Sequence, residues 1–238
     1  MAKANATWNV LPHGPIEKLD DHLWRVEGGL PPGNPLRRVM TIAKRADGAL
    51  VVHNAIALGD AEMKEIEAWG TIAWAVVPNG FHRLDAPAFH ARYPDAKVIC
   101  PSGARKKVEE VVPVSGTYDD FPKDEHVSFE HLDGTAQAEG VMTVKGSSGT
   151  TLVLNDALFN MPDLPGFSGF VLKHLTSSSG GPRISRISRL FLIKDKANFR
   201  AHLERLADTP NLARVIVSHH EVIADEPAKV LRAVAATL

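Results

Sequence analysis

The chain alternates between runs of apolar residues and short turn-forming segments, and the spacing of the apolar residues predicts its elements. Leu23 to Glu27 alternates apolar with polar side chains, as a strand with one buried face does. Arg38 to Ala43 and Gly48 to Val52 flank an Asp-Gly turn, and Val141 to Val144 and Thr151 to Leu154 flank a Gly-Ser-Ser-Gly turn. Each pair predicts a β-hairpin.

Elsewhere, short strands alternate with apolar residues at helical spacing. Further strands are predicted at Ile72–Val77, Ala96–Cys100, Val127–His131 and Val215–Val217. Helices are predicted at Ala61–Trp69, Ala86–Tyr93, Ser102–Val112, Ala197–Ala207 and Pro227–Leu238, with Asp60 and Ser102 as the N-caps of the first and third. The proline- and glycine-rich segment Pro162–Gly181 predicts an irregular loop near the candidate site.

The order of these elements predicts the architecture. Strands are followed by strand–helix alternation, and the same order then repeats in the second half of the chain. Two halves of this kind favour an α/β fold with four layers, an αββα sandwich. A doubly wound parallel sheet is disfavoured because two hairpins interrupt the alternation. No repeat or low-complexity linker divides the sequence, so we expect a single domain over residues 1–238.

Composition narrows the functional classes. The 238 residues carry a formal net charge of −1 and are 44% hydrophobic, which is ordinary for a globular protein and gives no basic footprint for nucleic acid. The segment Met1–Trp8 has no apolar stretch of signal-peptide length, and no window approaches the ~20 apolar residues of a membrane span. We therefore expect a cytoplasmic protein that binds neither nucleic acid nor membrane. The lone Cys100 excludes an intramolecular disulfide and a thiolate-rich metal site.

Three apolar runs end in residues that can bind a metal ion. One stops at a Pro-Asn-Gly turn followed by His82, one runs into Asp156, and one runs into the pair His219-His220. Strand ends of this kind predict one site built from distant segments. Because successive side chains alternate along a strand, only one of the two neighbouring histidines is expected in the site. His219 is favoured because it lies nearer the strand end.

Several of these segments resemble the metallo-β-lactamase superfamily, and the resemblance covers nearly the whole chain. Its first strand is similar to Asp21-His-Leu-Trp-Arg-Val26, and the segment after its metal loop is similar to Arg92-Tyr-Pro-Asp-Ala-Lys-Val-Ile-Cys100. Its Gly-Asp-x-x-Phe motif resembles Asn155-Asp-Ala-Leu-Phe159, and its closing strand resembles Val217-Ser-His-His220. The motif Pro78-Asn-x-x-His82 looks like a divergent, uncharacterised branch. The resemblance implies the αββα fold of metallo-β-lactamase type.

The metal-binding signature of that family is incomplete here. The family's His-x-His-x-Asp-His motif aligns without gaps to Val77, Asn79, Phe81 and His82, so three of its four ligands are replaced. Its first metal subsite, normally three histidines, is therefore expected to be lost. The resemblance leaves the second subsite, with His82, the bridging-type Asp156 and one histidine of the closing pair. Asp156 and His82 are also the expected catalytic residues.

We expect one divalent metal ion, with zinc favoured and iron or manganese as alternatives, in a single-metal hydrolase. The substrate would be a small molecule that the sequence does not identify, and an oligomer is allowed. Two alternatives remain open: a metal-free scaffold that binds a small molecule or a protein partner, and an iron protein with redox chemistry. Reserve candidates for the site are His53, Asp85, His131, Asp133 and Glu139.

Overall fold

A computed structural model describes residues 4–238 and contains two large β-sheets. Met1 to Lys3, part of the N-terminal segment discussed above, lie outside the described residues. The first sheet has seven strands in sequential order: β1 (Glu17–Asp20), β2 (Leu23–Gly29), β3 (Arg37–Lys44), β4 (Ala49–His53), β5 (Thr71–Val76), β6 (Lys97–Cys100) and β7 (Gly116–Thr117). Strands β1 to β4 are antiparallel, and β4 to β7 are parallel.

The second sheet has four strands, with the last strand of the chain at one edge. These are β8 (Val127–His131), β9 (Gly140–Gly146) and β10 (Gly149–Val153), which pair antiparallel in that order, and β13 (Leu212–Ile216), which lies parallel to β10. A small antiparallel pair, β11 (Phe159–Met161) and β12 (Gly181–Arg183), stands apart. Both predicted hairpins, β3–β4 and β9–β10, are confirmed.

Helices cover the outer face of each sheet. The first sheet packs against α1 (Asp60–Trp69), α2 (Ala86–Arg92) and α3 (Arg105–Val108), and the second packs against α5 (Lys196–Ala207) and α6 (Pro227–Ala235). Between them in sequence, α4 (Gly166–Phe170) continues as a π-helical turn at Val171–Leu175, and a second π-helical turn spans Ser188–Leu192. The prediction of an irregular loop over Pro162–Gly181 is therefore wrong for the central part of that segment. There, apolar residues at helical spacing follow Gly166 and form a helix.

Three apolar layers hold these elements together and establish the αββα order. Strand β3 illustrates why, because Met40 and Ile42 face the helices while Val39 and Ala43 face the second sheet. The inter-sheet layer combines side chains of both halves of the chain, among them Val39 from the first sheet and Ile216 from the second. The predicted four-layer sandwich is confirmed. Within residues 4–238, no helix has both the length and the apolar character needed to cross a bilayer.

Two predicted helix starts differ from the structure. Gly59, and not Asp60, occupies the N-cap of α1, and Asp60 is its first residue. Ser102 begins a 3₁₀ turn, and its hydroxyl donates to the side chain of Gln137 at 2.6 Å instead of capping a helix. The regular helix that follows ends at Val108. It falls short of the predicted Val112. Pro113 disfavours helical backbone at Val112 itself, and residues 109–111 form turns as the chain returns to pair β7 with β6.

Candidate metal site

The carboxyl ends of β4 and β5 place the first part of the site. These strands are parallel neighbours, with His53 opposite Val76, so the residues that follow them lie at one edge of the sheet. After β5, the side-chain oxygen of Asn79 accepts hydrogen bonds from the backbone N–H groups of Phe81 (2.8 Å) and His82 (3.0 Å). This Asx turn reverses the chain and directs His82 back over the edge of the sheet.

The second sheet supplies the other residues in the same way. Strands β10 and β13 are parallel neighbours, with Val153 opposite Ile216, and Asp156 and His219 follow their carboxyl ends. The side chains of His82, Asp156 and His219 are largely buried and converge where the edges of the two sheets meet. Their candidate ligand atoms all lie within 4.8 Å of one another.

The convergence is closest at one oxygen of Asp156. Oδ1 lies 3.0 Å from Nε2 of His82 and 3.3 Å from Nε2 of His219. Ligand atoms that surround a zinc ion tetrahedrally at about 2 Å lie roughly 3.3 Å apart, so these separations suit a single ion. The ring of His219 also stacks on Phe159, with centroids 5.2 Å apart, which restrains its orientation.

Both histidines have their outer ring nitrogens engaged by hydrogen-bond acceptors. Nδ1 of His82 donates to the side-chain oxygen of Asn54 at 3.1 Å, and Nδ1 of His219 donates to the carbonyl oxygen of Arg37 at 2.7 Å. The amide group of Asn54 is itself oriented, because its nitrogen donates to the carbonyl of Val39 at 2.8 Å. With Nδ1 donating outward, each ring turns its Nε2 toward Asp156, which is the orientation that metal-binding histidines adopt.

Asn79 links the cluster to a deeper carboxylate. Its side-chain nitrogen donates to Oδ2 of Asp156 at 2.8 Å and to Oε2 of Glu139 at 3.1 Å. Glu139 is fully buried and also accepts the backbone N–H groups of Asn155, Asp156 and Ala157. Glu139 therefore organises the loop that carries Asp156, and Asn79 leaves only Oδ1 of Asp156 facing the histidines.

The two carboxyl groups are shifted in opposite directions. Burial raises the pKa of Glu139 to about 8, and the negative charge of Asp156 adds to this effect against the N–H groups that lower it. Burial also acts to raise the pKa of Asp156, but the charge of His82 and the hydrogen bonds of His219 and His82 outweigh it. They hold the pKa of Asp156 well below its ordinary value. Asp156 is thus kept ionised, as a metal ligand must be.

The four site residues named from the sequence do not all meet. The structure brings His82, Asp156 and His219 together, but it turns His220 away. His220 has a left-handed backbone with φ of 65°, and its Nε2 accepts the backbone N–H of Arg37 at 3.3 Å. Of the neighbouring pair, His219 is the histidine that lies in the cluster. Burial, with the nearby charges of His219 and Arg37, lowers the pKa of His220 to about 4.

The reserve candidates also lie outside the cluster. Asp85 pairs with buried Arg38 at 2.6 Å. Nδ1 of His131 lies 3.6 Å from Asp119, and Asp133 lies 2.9 Å from Nδ1 of His202. His53 is buried at the end of β4, where burial and then the charge of His82 lower its pKa to about 3.

Two contributors to the site were missed at the sequence level. Asn54 follows β4 directly in the left-handed conformation that asparagine tolerates, with φ of 57°, and a polar residue just after a buried strand was its only signal. Ser188 donates from its hydroxyl to the main-chain oxygen of Asp156 at 2.6 Å. Nothing in the local sequence marks Ser188, because the contact joins residues 32 positions apart.

A large cavity lies above the cluster. It has a volume of about 730 Å³, and its walls include His82, Asp156 and His219. Other wall residues come from the Asn79 turn, from β3 and the loop before it, and from the two π-helical segments between β11 and α5. The cluster is therefore accessible to a small molecule.

Comparison with solved structures identifies the fold. The DIM-1 metallo-β-lactamase exposed to ceftazidime aligns with a TM-score of 0.64 and 12% identity, over 96% of this chain and 99% of that chain. FIM-1 from Pseudomonas aeruginosa, solved in a mono-zinc form, gives 0.61 and 11% over 98% of both chains. A metallo-β-lactamase from Hirschia baltica gives 0.54 and 17% over 93% and 98%. The chain thus has the metallo-β-lactamase fold, as the sequence resemblance implied.

These similarities are structural. No family model matches the sequence, and no curated protein matches it. Identities of 9% to 17% show a shared fold and leave the chemistry to be argued from the site.

Proposed function

We propose that this chain is a hydrolase that uses a single metal ion. The observation that carries the proposal is the orientation of three electron-pair donors toward one point. Nε2 of His82, Nε2 of His219 and Oδ1 of Asp156 face one another, while the N–H groups of both imidazoles are engaged elsewhere. When both rings are neutral with Nδ1 as the donor, each Nε2 presents a lone pair to the point that Oδ1 of Asp156 also faces. A divalent ion satisfies all three.

The ligand set agrees with a catalytic site. Two imidazoles and one carboxylate would leave a coordination position open, and a zinc ion held by them would lower the pKa of a bound water to about 7. Asp156 contributes a negative charge, because its pKa is lowered, and the hydrogen bond to Asn54 fixes the orientation of the His82 ring. The cavity above the cluster provides room for a small-molecule substrate.

Asn79 supports the proposal of one ion instead of two. Its side-chain nitrogen lies between Asp156 and Glu139, at 2.8 and 3.1 Å, and its oxygen is fixed by two backbone N–H groups. The amide cannot rotate without breaking those bonds, so N–H groups stay between the carboxylates. A second cation at that position would face these donors, which repel it. Among the fold neighbours, FIM-1 is a protein that has been solved with one zinc.

The adjacent residues His219 and His220 allow a controlled test of metal binding at the cluster. We would purify the tag-free protein without chelator and measure zinc, iron and manganese by elemental analysis in wild type, His219→Ala and His220→Ala. We expect about one equivalent of metal, zinc above the others, in wild type and in His220→Ala. We expect its loss in His219→Ala, because only His219 contributes to the cluster. Circular dichroism would establish that both variants are folded.

Two results would contradict the proposal. Metal-free wild-type protein, even after zinc is offered and the excess removed, would favour a scaffold that binds a small molecule or protein partner. Equal loss of metal in both variants would place the ion elsewhere. If metal binds as expected, hydrolysis of ester, amide and phosphodiester panels should require it and should fall with His219→Ala.

A further inference from the structure

The cavity above the cluster is divided into a polar floor and apolar walls. The floor carries the three cluster residues together with Asn54 and Asn79. The walls are formed mainly by aliphatic and aromatic side chains, among them Leu30, Leu36, Val111, Phe159, Leu172 and Phe191. Its volume, about 730 Å³, lies within the range of about 300–1,000 Å³ that is typical of small-molecule sites.

The cations that reach the cavity are already paired. Among the described residues, the Lys or Arg side chains that line it are Arg38 and Arg83. Arg38 is buried against Asp85 at 2.6 Å, and Arg83 lies 2.9 Å from Glu110. The walls therefore offer no uncompensated cation to a carboxylate or phosphate group on a ligand.

Four residues with hydroxyl groups add neutral polar groups to the cavity lining. Ser188 is bonded to the main chain of Asp156, and the hydroxyls of Ser185 and Ser188 lie 2.8 Å apart. Thr176 and Ser178 form a second pair of hydroxyls at 2.8 Å, and all four residues line the cavity. These neutral groups suit an uncharged polar head, such as a carbonyl group.

The apolar walls continue to the surface. Ile187 and Phe191 line the cavity and remain 52% and 62% exposed. Phe81 also lines the cavity and is 59% exposed. Large exposed apolar side chains at a cavity entrance mark a route for an apolar ligand.

We infer that the ligand of this cavity is a neutral amphiphile, with an uncharged carbonyl-containing head over the cluster and an apolar chain or ring against the apolar side chains of the walls. The inference deepens the proposed function, since the head would carry the bond to be hydrolysed. It concerns binding, however, and can be tested apart from hydrolysis.

Isothermal titration calorimetry with two homologous series is the test. The probes are 2-alkanones of five to eleven carbons and the straight-chain carboxylates of the same lengths. Both series are titrated into the full-length chain, metal-free and zinc-loaded. For each added methylene that is buried, we expect the Kd of the ketones to fall by about fourfold. In the metal-free protein, each ketone should bind more tightly than the carboxylate of equal length.

Two phenylalanines provide a matched pair of variants. Phe191 lines the cavity, whereas Phe167, in α4, is 80% exposed and is not among the lining residues. Phe191→Ala should weaken binding of 2-nonanone by about fivefold, as expected for losing part of one aromatic contact surface. Phe167→Ala should leave the Kd unchanged.

The outcomes separate the two proposals. A Kd that does not depend on chain length, tighter binding of the carboxylates by metal-free protein, or equal effects of the two variants would overturn the inference. Chain-length-dependent binding that is lost with Phe191→Ala would support it. This holds even if the zinc-loaded protein hydrolyses no ester, a result that would count against the proposed function alone.

Discussion

The ion pair of Arg38 and Asp85 gives the sharpest stability prediction. Asp85 is fully buried and lies 2.6 Å from the guanidinium of Arg38, whose side chain is 4% exposed. It also accepts the side-chain amide of Asn5 at 2.6 Å and the backbone N–H of Ala57 at 3.1 Å. Asp85→Ala would leave the charge of Arg38 buried without its partner. Removing one member of a buried pair costs about 3–5 kcal/mol, a large share of the ~5–15 kcal/mol that holds a domain folded.

Urea denaturation followed by circular dichroism measures this loss. Glu65→Ala serves as the control, because Glu65 pairs with Lys18 at 2.7 Å on the surface, where such pairs contribute less than ~1 kcal/mol. Adding Arg38→Met to Asp85→Ala should recover at least ~2 kcal/mol, since it removes the uncompensated charge. The reasoning is refuted if Asp85→Ala costs less than ~1 kcal/mol, or if the double variant is no more stable than the single one.

Three further predictions concern Asn54 beside the site, Cys100 in the core of the first sheet, and His53 at the end of β4. Asn54→Ala removes the acceptor for Nδ1 of His82 and should weaken zinc binding by about 10- to 100-fold in competition with a chromophoric chelator; an unchanged Kd would contradict the orientation argument. Burial raises the pKa of Cys100 to about 12, so folded protein at pH 8 should resist iodoacetamide, whereas unfolded protein should take up one equivalent. Burial lowers the pKa of His53 to about 3, against 6.5 when unfolded, so the unfolded chain takes up the proton first and stability falls as the pH drops below 6.5. Urea unfolding of metal-free protein should lose about 2 kcal/mol from this group between pH 8 and pH 5, a loss that His53→Gln should lack.

The fold was predictable because the strands are encoded mainly by local patterns of apolar and polar residues. Strand β3 and strand β4 are joined by a short turn, and the periods of their apolar residues identify them without knowledge of the partners. The predictions that failed concern two segments whose structure depends on contacts with the rest of the fold. The helix after Ser102 ends early, and Gly166–Phe170 forms a helix in a segment whose prolines and glycines indicate a loop.

The site was predictable only in part, for a similar reason. His82, Asp156 and His219 each follow a buried strand, and parallel neighbours bring such ends to one sheet edge. The orientation of the His220 side chain depends on its own left-handed backbone conformation, with φ of 65°. The pattern of apolar and polar residues does not predict this conformation. The role of Asn79 was also hidden, because its turn is a sufficient local explanation for it and its bonds to Glu139 and Asp156 span 60 and 77 residues.

The most direct test of the account is anomalous diffraction at the zinc absorption edge, from crystals of the zinc-loaded protein. We expect one peak per chain, within about 2.2 Å of Nε2 of His82, Nε2 of His219 and Oδ1 of Asp156. We also expect no peak between Asn79 and Glu139. A second peak at that position, a peak ligated by His220, or no peak at the cluster would contradict the account.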